Sequence, residues 1–370
     1  MRAIAEDYPT AASSFAEFDC WRDAVRTAAL DHVAEFVDTR CLPQLRRTGI
    51  DIAPDVLTGL LDGGKCLRST FMYLGWLCGA ETDPETDTAA LRASAALELL
   101  QAFALLQDDV MDDSPLRRGR PAAHVQFADW HRRRQLSGSR ERFGASIAVL
   151  LSDLCLVWAE QMMRESGLPV AALTRAWPHY DAMRVELAVG QFADVANDAG
   201  AMPTLEAVLD VARRKSGNYT VRRPLEIGAA AAGREDLLEA LGGYGAAVGE
   251  AFQLRDDLLG VFGSPELTGK PAGGDLAERK ATSIVVAAQR MAAPDVRVQF
   301  DELMKTGDLT ESDIERWRAL ILGTGAVDRI EDMITTRVTA ADEHLAHSRI
   351  SEPVRGALTE MAAVCTRRAT

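Results

Sequence analysis

The stretch that decides the fold is LRASAALELLQAFALLQDDVMDDSPLRRGR, from Leu91 to Arg120. Most of its residues are apolar and favour helix, so the sequence predicts a long helix in the core. The polar residues that interrupt it stand at spacings of four, three, seven and four positions: Ser94, Glu98, Gln101, Asp108 and Asp112. Such spacings place side chains along one stripe of a helix. A polar stripe on an otherwise apolar helix predicts an internal polar cavity rather than a face turned to bulk water.

Acidic residues gather at the end of this stripe. Asp108 and Asp112 are one helical turn apart with Asp109 beside them, and the pair Arg117 and Arg118 follows. Carboxylates so close together repel one another unless a cation is present. Oxygen ligands suit Mg2+, which keeps several waters and shares its coordination shell with substrate phosphates. The pattern predicts a magnesium site, although a lone D-D-x-x-D also occurs at ordinary solvated helix ends.

A second acidic pair ends another apolar helix, in GEAFQLRDDLLGVFG. The residues on one face of that helix are Gly249, Gln253, Asp256 and Gly260. Asp257 adjoins Asp256, and a glycine- and proline-rich loop follows. The charged residues of interest in that loop are Lys270, Asp275 and Lys280. Two such acidic sites with lysines beside them favour a chelated polyphosphate over two unrelated helix ends.

Basic residues stand at other glycine-containing turns. Lys65 and Arg68 follow a double glycine, where they could grip a phosphate or merely lie along a helix surface. Lys215 precedes Ser216 and Gly217, a segment that could equally be a helix terminus. The cations that accompany the acidic clusters are Lys65, Arg68, Arg117, Arg118, Lys215 and Lys270. Together they match one chemical need, which is to hold two polyphosphates close together, one through Mg2+ and one through direct cation contacts.

Composition excludes several classes of protein. The chain has 370 residues, of which 47% are hydrophobic and only 6% aromatic, which allows a large core and favours helices over sheet. The net charge of −14 argues against a nucleic-acid partner. Six cysteines without a C-x-x-C pair are typical of reduced thiols in a cytoplasmic protein. The apolar run ASIAVLLSDLCLVWA contains Ser152 and Asp153 and predicts a buried helix rather than stable membrane insertion.

The domain organisation is predicted from helical periodicity alone. Residues 1–20 show no clear pattern and are expected to form a loosely ordered extension, and no secretory signal is visible there. Helical spacing continues from about Cys20 to the C-terminus without an internal repeat or a dividing linker. The polar segment from His131 to Arg142 is expected to be a surface loop. We therefore expect one all-helical domain over residues 21–370.

The motifs resemble those of the trans-isoprenyl diphosphate synthases, the polyprenyl synthetase family. The resemblance extends over nearly the whole chain from about Leu45 and includes GGKCLRS, ELLQAF, DDVMDDSPLRRGRPAAH, GQFAD, KSGNY, FQLRDDLLGVFG and TGKPAGGD. It implies an all-α fold, an antiparallel helical bundle around a deep central cavity, as a homodimer. It also implies an enzyme that condenses isopentenyl diphosphate with dimethylallyl, geranyl or farnesyl diphosphate to an all-trans product five carbons longer.

The resemblance assigns roles to residues. The implied ligands of Mg2+, three ions per active site, are Asp108, Asp112 and Asp256. Asp109 would support them, and Gln253 would lie near the reacting carbons. The residues implied as catalytic are Asp108, Asp109, Asp112, Asp256, Asp257, Lys215 and Gln253. The residues implied for the allylic diphosphate are Arg117, Lys215 and Lys270. Those implied for isopentenyl diphosphate are Lys65, Arg68, Gln101 and Arg118. Further implied substrate contacts are Gln191, Ser216 and Lys280.

Product length is expected to depend on Phe103 and Ala104. Ala104 lies one helical turn before Asp108, and Phe103 is about 100° round the helix from it. In the family, aromatic side chains at both positions stop growth at fifteen carbons, whereas an aromatic at the earlier one allows twenty. The resemblance therefore implies geranylgeranyl diphosphate.

Two alternative functions and one departure from the family pattern remain. A class I terpene cyclase shares the aspartate-rich motif, but it has no second diphosphate for Lys65 and Arg68 to hold, and no N-x-x-x-S-x-x-x-E motif is visible. An inactive regulatory subunit would not need both acidic pairs. Gly260 stands where many family members have Asp, which implies weaker support of Asp256 but retained activity, and it leaves the regulatory alternative open.

Overall fold

Helices form almost all of the described chain. The computed structural model describes residues 15–79, 83–198, 202–263, 273–307 and 309–367. Its α-helices of eight or more residues are α1 (Phe15–Phe36), α2 (Ala53–Leu61), α3 (Leu67–Leu77), α4 (Pro84–Met111), α5 (Ala123–Arg133), α6 (Arg140–Arg164), α7 (Val170–Asp198), α8 (Leu205–Ala212), α9 (Arg223–Ala231), α10 (Leu238–Phe262), α11 (Ser283–Met291), α12 (Pro294–Lys305), α13 (Glu311–Gly323), α14 (Ala326–Ala346) and α15 (Glu352–Thr366). The prediction of an all-α fold is confirmed.

Short elements join these helices. Two antiparallel strands of two residues, Leu116–Arg117 (β1) and Arg120–Pro121 (β2), form a small hairpin after α4. The remaining helical segments are the π-helices Val37–Cys41 and Arg213–Arg222 and the short turns Leu42–Leu45, Arg46–Thr48, Glu235–Leu237 and Gly274–Ala277.

The chain is described as two compact units. The first comprises Met1–Pro178, Pro224–Asp236 and Ser351–Ala357. The second comprises His179–Arg223, Leu237–Ile350 and Leu358–Thr370. We expected a single domain over residues 21–370, and that expectation stays a prediction. Helix α1 begins at Phe15, so residues 15–20 are helical rather than loosely ordered, and residues 1–14 lie outside the described chain.

Helix α4 is the core element of the first unit. Asp83 caps its first turn by accepting hydrogen bonds from the backbone N–H groups of Glu85 and Thr86 at 3.0 and 3.1 Å, and Pro84 occupies the first helical position. Helix α4 packs most extensively against α6 and also against α1 and α3. Side chains such as Leu97 and Leu100 are fully buried there. Truncating either to Ala would cost about 2–5 kcal/mol of stability.

Helix α10 is the core element of the second unit, where it packs against α14 and the Arg213–Arg222 segment. The backbones of Gly217 and Gly249 touch there, since a Cβ on Gly249 would lie 2.6 Å from Gly217 Cα. This contact explains why the polar face of α10 includes a glycine at 249. Only the absence of both side chains lets the two helices approach so closely.

The structure differs from the sequence predictions at two connections. The segment around KSGNY is not a break between two helices, because Arg213–Arg222 continues the chain as π-helix from α8 into α9. The expected surface loop from His131 to Arg142 is shorter, because α5 extends to Arg133 and α6 begins at Arg140. His131 itself is buried, and its ring packs 4.9 Å from that of Phe143.

Within the described ranges of the chain, two helices, α4 and α6, have the length and apolar composition of a membrane span. In α4, 72% of the most apolar window is buried inside the protein, as expected for a core helix. In α6, which contains the apolar run noted in the sequence, only 39% of that window is buried. The prediction of a buried helix therefore holds for one side of α6 and is wrong for its exposed side.

Candidate active site

The acidic end of α4 is organised by one arginine. Arg117 in β1 donates from Nε to Asp109 Oδ1 at 2.8 Å and from Nη2 to Asp108 Oδ2 at 3.2 Å, and Nη2 also bonds to Asp109. The side chain of Asp109 is only 2% exposed, whereas that of Asp108 is 24% exposed. Asp109 thus serves as the buried anchor for Arg117, and Asp108 keeps accessible oxygens.

The charge state of this cluster follows from the contacts. Burial acts to lower the pKa of Arg117, but the hydrogen bonds and charges of Asp109 and Asp108 outweigh it, and the pKa lies above its ordinary value. Arg117 therefore stays charged and neutralises one of the adjacent carboxylates. Its expected role as a direct ligand of the allylic diphosphate stays a prediction, and the structure shows it paired with the aspartates.

The turn after α4 brings Arg117 back over the acidic residues. Asp113 and Arg118 adopt left-handed backbone conformations, with φ of 49° and 51°, and Gly119 follows with φ of 73°. These conformations let the chain reverse twice within a few residues and form the β1–β2 hairpin. The backbone N–H of Ser114 donates to the carbonyl of Asp109 at 3.0 Å and closes the turn.

Some of the residues expected to bind isopentenyl diphosphate meet at a small pocket in the first unit. The pocket is narrow, with a volume of about 10 Å³ open to the centre of a water molecule, and its lining includes Gly64, Glu98, Gln101 and Arg118. Gln101 Oε1 is buried and accepts no hydrogen bond from the described residues. Lys65 is exposed and Arg68 half-buried beside the pocket's glycine turn. Neither Lys65 nor Arg68 is part of the lining as the structure describes it.

Three contacts position this pocket, and the sequence pattern indicated the residues of two of them, Arg118 and Glu98. Arg118 Nη1 donates to the carbonyl of Asp62 at 2.6 Å and ties the hairpin to the end of α2. Arg26 in α1 donates from Nε to the carbonyl of Gly64 at 2.7 Å. No local pattern marks Arg26, because it precedes its partner by 38 residues on an otherwise ordinary helix. Glu98, part of the polar stripe, accepts a hydrogen bond from Ser69 Oγ at 2.7 Å.

Asp257 in the second unit joins α10 to the start of α11. Its carboxylate accepts hydrogen bonds from Gln253 Nε2 at 2.7 Å, Ser283 N at 2.8 Å and Ser283 Oγ at 2.6 Å. Burial raises the pKa of Asp257, and the hydrogen bonds from Ser283 and Gln253 oppose that rise. Asp257 is buried and hydrogen-bonded within the protein, whereas the neighbouring Asp256 is half-buried. Their catalytic roles stay predictions.

Lys215 lies in the π-helical segment and contacts α7. Its Nζ donates to Asp194 Oδ2 at 2.6 Å, with side-chain exposures of 22% and 33%. A Cβ on Gly190 would lie 2.8 Å from the backbone N of Lys215, so that glycine lets the two helices meet at this point. Asp194, the last residue of the GQFAD motif, thus forms an ion pair with Lys215. A π-helical turn is frequent at functional sites, which agrees with the position of Lys215.

The other expected contacts of the second unit are less closely defined. Gln191 and Ser216 are both half-buried. Ser216 directly follows Lys215, and Gln191 follows Gly190, whose backbone lies against that of Lys215. Lys280 forms an ion pair with Glu278 at 3.1 Å. Lys270 lies outside the described residues.

The expected chain-length residues lie on the accessible side of α4. Phe103 and Ala104 are half-buried, as are Gln101 and Asp108, whereas Ala102 is buried. Of the stripe that the sequence indicated, Gln101, Asp108 and Asp112 are thus partly accessible, whereas Ser94 and Glu98 are buried. Ser152 in α6 donates from Oγ to the carbonyl of Phe103 at 3.0 Å. This bond holds α6 against α4 at the residue expected to influence product length.

The family assignment follows from comparison with known proteins. The sequence profile of the polyprenyl synthetases matches residues 52–321, which is more than half of the chain. The chain belongs to the polyprenyl synthetase family. Its resemblance to trans-isoprenyl diphosphate synthases is thereby confirmed, and this polyprenyl synthetase is a prenyltransferase.

Individual relatives agree with this assignment. A geranylgeranyl diphosphate synthase of Mycobacterium tuberculosis is 32% identical over 290 residues, which are 78% of this chain and 76% of that protein. A geranylfarnesyl diphosphate synthase of Aeropyrum pernix is 31% identical over 294 residues, 76% of this chain and 84% of that protein. A geranylgeranyl pyrophosphate synthase from Corynebacterium glutamicum, solved with isoprenyl diphosphate and magnesium, is similar over 94% of this chain and 99% of that chain, with 34% identity and a TM-score of 0.87. The fold is therefore the helical type of these synthases.

Proposed function

We propose that this polyprenyl synthetase is a Mg2+-dependent geranylgeranyl diphosphate synthase. It would condense isopentenyl diphosphate with dimethylallyl, geranyl or farnesyl diphosphate to an all-trans product of twenty carbons. The observation that carries the proposal is the acidic end of α4, where accessible carboxylates stand beside a buried Asp109–Arg117 pair. The similarity to the Corynebacterium glutamicum synthase, solved with isoprenyl diphosphate and magnesium, supports the same chemistry.

The donor atoms fit magnesium. Asp108 and Asp112 supply oxygens one helical turn apart, and Asp256 supplies another in the second unit. No three His, Cys, Asp or Glu side chains converge on a common point among the residues that the structure describes. Mg2+ commonly binds to one or two carboxylates and completes its shell with water and substrate phosphates. When bound, the metal would neutralise the leaving diphosphate, and we propose three ions per site from the family resemblance.

The remaining residues would bind and orient the two substrates. Lys215 carries a charge that a diphosphate could share with Asp194, and Arg117 holds Asp109 and Asp108 in place. We propose that Lys270 and Lys280 contribute to the same diphosphate, with Gln191 and Ser216 near it. We assign the metal-free diphosphate of isopentenyl diphosphate to Lys65, Arg68, Gln101 and Arg118. Holding two reactants in register can lower the barrier by about 7–11 kcal/mol.

The proposed product length of twenty carbons depends on two side chains of α4. Phe103 and Ala104 are both half-buried on the accessible side, and Ala104 is one turn from Asp108. A methyl group at 104 leaves room that an aromatic ring would fill.

The free cysteines, five of which are buried, support a reducing compartment, and we propose a cytoplasmic location.

The experiment is a product assay with purified protein, Mg2+, isopentenyl diphosphate and each of the three allylic diphosphates in turn. Products are dephosphorylated and sized by gas chromatography. We expect a linear twenty-carbon alcohol from every primer. A longer or shorter limit would keep the synthase and reject the argument from Phe103 and Ala104. Cyclic hydrocarbon without elongation would indicate a terpene cyclase, and metal-dependent substrate binding without turnover would indicate a regulatory subunit.

We propose a homodimer from the exposed face of α6. Val149, Leu150 and Val157 are 37%, 57% and 55% exposed, and their spacing places them on one side of the helix. An apolar stripe of this kind on a surface helix is typical of a protein–protein contact. A second copy of the chain would cover it, as the family resemblance implies.

Replacing Leu150 and Val157 together with Glu is expected to convert the dimer to a monomer, because two charges cannot be buried unpaired in an apolar contact. Size-exclusion chromatography with light scattering would show the mass falling from twice 40.1 kDa to 40.1 kDa. The matched control is Val298→Glu in α12, where Val298 is 57% exposed. A double variant that keeps the wild-type mass would place the contact elsewhere, and a monomeric wild type would reject the dimer.

A further inference from the structure

A short turn between α2 and α3 contains Lys65, one of the residues proposed to bind isopentenyl diphosphate. Helix α2 ends at Leu61 and α3 begins at Leu67, so the turn has few residues in which to redirect the chain. Gly63 and Cys66 both have a left-handed backbone, with φ of 72° and 49°. That conformation is uncommon for a residue other than glycine, and it persists only where surrounding contacts fix the backbone. The shape of the turn therefore depends on what holds it.

Two arginines bind backbone carbonyl groups at this turn. Arg118 donates from Nη1 to the carbonyl of Asp62 at 2.6 Å and to that of Leu60 at 3.3 Å. Arg26 donates from Nε to the carbonyl of Gly64 at 2.7 Å. Hydrogen bonds from a charged donor are stronger than those between neutral groups. The turn is therefore held at its start by Arg118 and at its centre by Arg26.

The packing of α1 fixes the place from which Arg26 reaches the turn. Val25 and Ala29 are fully buried, and α1 packs against α3 and α4. Arg26 itself is half-buried beside this apolar face. Helix α1 precedes residues 52–321, which the family profile matches, so Arg26 is not among the residues that identify the family. Its contact with Gly64 is a feature of the tertiary structure alone.

The peptide that Arg26 binds leads directly to Lys65. Gly64 lines the small pocket together with Gln101 and Arg118, whereas Arg26 is outside that lining in the described part of the chain. The carbonyl of Gly64 belongs to the peptide unit that joins it to Lys65. Because a peptide unit is planar, fixing this carbonyl also fixes the backbone N and Cα of Lys65. Arg26 thus sets the point from which the Lys65 side chain extends.

We propose that Arg26 is a positioning residue for the diphosphate of isopentenyl diphosphate, and that it acts by holding the Gly64–Lys65 peptide through a hydrogen bond. The inference rests on the proposed function of Lys65 as a ligand of that diphosphate. A turn that is already fixed loses less conformational entropy when the substrate binds. Arg26 acts through the backbone and is not itself a substrate ligand.

The hydrogen bond can be removed while a long side chain is kept. Arg26→Met removes every donor, and we expect it to raise KM for isopentenyl diphosphate about tenfold, the change that corresponds to one hydrogen bond of a charged group. Loss of binding alone leaves kcat unchanged, so kcat and KM for farnesyl diphosphate are expected to stay within about twofold. Arg26→Gln keeps an N–H as far along the side chain as Nε, and this neutral donor is expected to restore KM to within about threefold of wild type.

Two measurements separate positioning from stability. Steady-state elongation with each substrate varied in turn gives kcat and both KM values. A thermal-shift titration of the full chain with isopentenyl diphosphate in EDTA gives the affinity for this substrate without metal or turnover. The matched control is Arg22→Met, which removes an arginine one turn earlier in α1 that pairs with Asp19 at 3.1 Å. The control is expected to keep the wild-type KM values and titration midpoint.

Several results would overturn this role of Arg26. One is a KM for isopentenyl diphosphate in Arg26→Met equal to that of Arg22→Met. Another is an equal rise in both KM values or a matching fall in kcat, which would indicate a general structural effect. A third is an Arg26→Gln variant as impaired as Arg26→Met, which would show that charge acts and not the hydrogen bond.

The wild-type assays separate this inference from the proposed function. Elongation by the wild type with no effect of Arg26→Met rejects the positioning role alone. No elongation by the wild type, together with binding of isopentenyl diphosphate in EDTA that Arg26→Met weakens, rejects the synthase and supports the positioning role. A wild type that neither elongates nor binds isopentenyl diphosphate rejects both.

Discussion

Asp108→Asn is expected to lower kcat for chain elongation about a thousandfold. Asp108 is the accessible carboxylate at the end of α4, 24% exposed and 3.2 Å from Arg117. Losing its charge would remove a proposed magnesium ligand, and metal ions contribute several kcal/mol of charge stabilisation in such reactions. A loss of about 4 kcal/mol corresponds to three factors of ten. The measurement is steady-state incorporation of isopentenyl diphosphate at saturating Mg2+.

The matched control for this variant is Asp113→Asn. Asp113 belongs to the same acidic run, but its side chain is fully exposed, and its left-handed backbone also suits Asn. It is expected to retain activity within about twofold, because exposed charges of this kind contribute little. Unfolding midpoints of both variants would show that the fold is intact. Retention of more than about a tenth of the wild-type kcat by Asp108→Asn would contradict its role as a metal ligand.

Ala104→Phe is expected to shorten the main product from twenty to fifteen carbons. Ala104 is half-buried on the accessible side of α4, one turn before Asp108. A phenyl ring there would fill the space into which the growing chain extends, so elongation would stop one isoprene unit earlier. Gas chromatography of dephosphorylated products, with geranyl and farnesyl diphosphates as primers, measures the change. Farnesyl diphosphate should no longer be elongated efficiently.

Two further variants test whether the effect on product length is specific to this position. Phe103→Ala should lengthen the product, because it removes the ring beside Ala104. Ala171→Phe introduces the same side chain at an exposed position in α7 and should leave product length unchanged. A twenty-carbon product from Ala104→Phe would show that side chains elsewhere determine the length.

Secondary structure was predictable where one face of a helix had to be buried. The apolar stretches that were expected to be helical are the long helices α4, α6 and α10, and each packs one side into the core. Helix α5 was missed in part, since its last turn is rich in arginine. Packing decides that helix, because Gly144 of α6 lies against the backbone of His124, and Phe127 is fully buried.

The sequence by itself determined the helical class, the family and the two acidic motifs, because periodicity and short motifs are local properties of the chain. Only the tertiary structure decided how the charges pair, Arg117 with Asp109 and Lys215 with Asp194. Partners in these contacts are separated by turns or whole helices. Their distances depend on backbone conformation and close glycine packing, which no spacing in the sequence encodes.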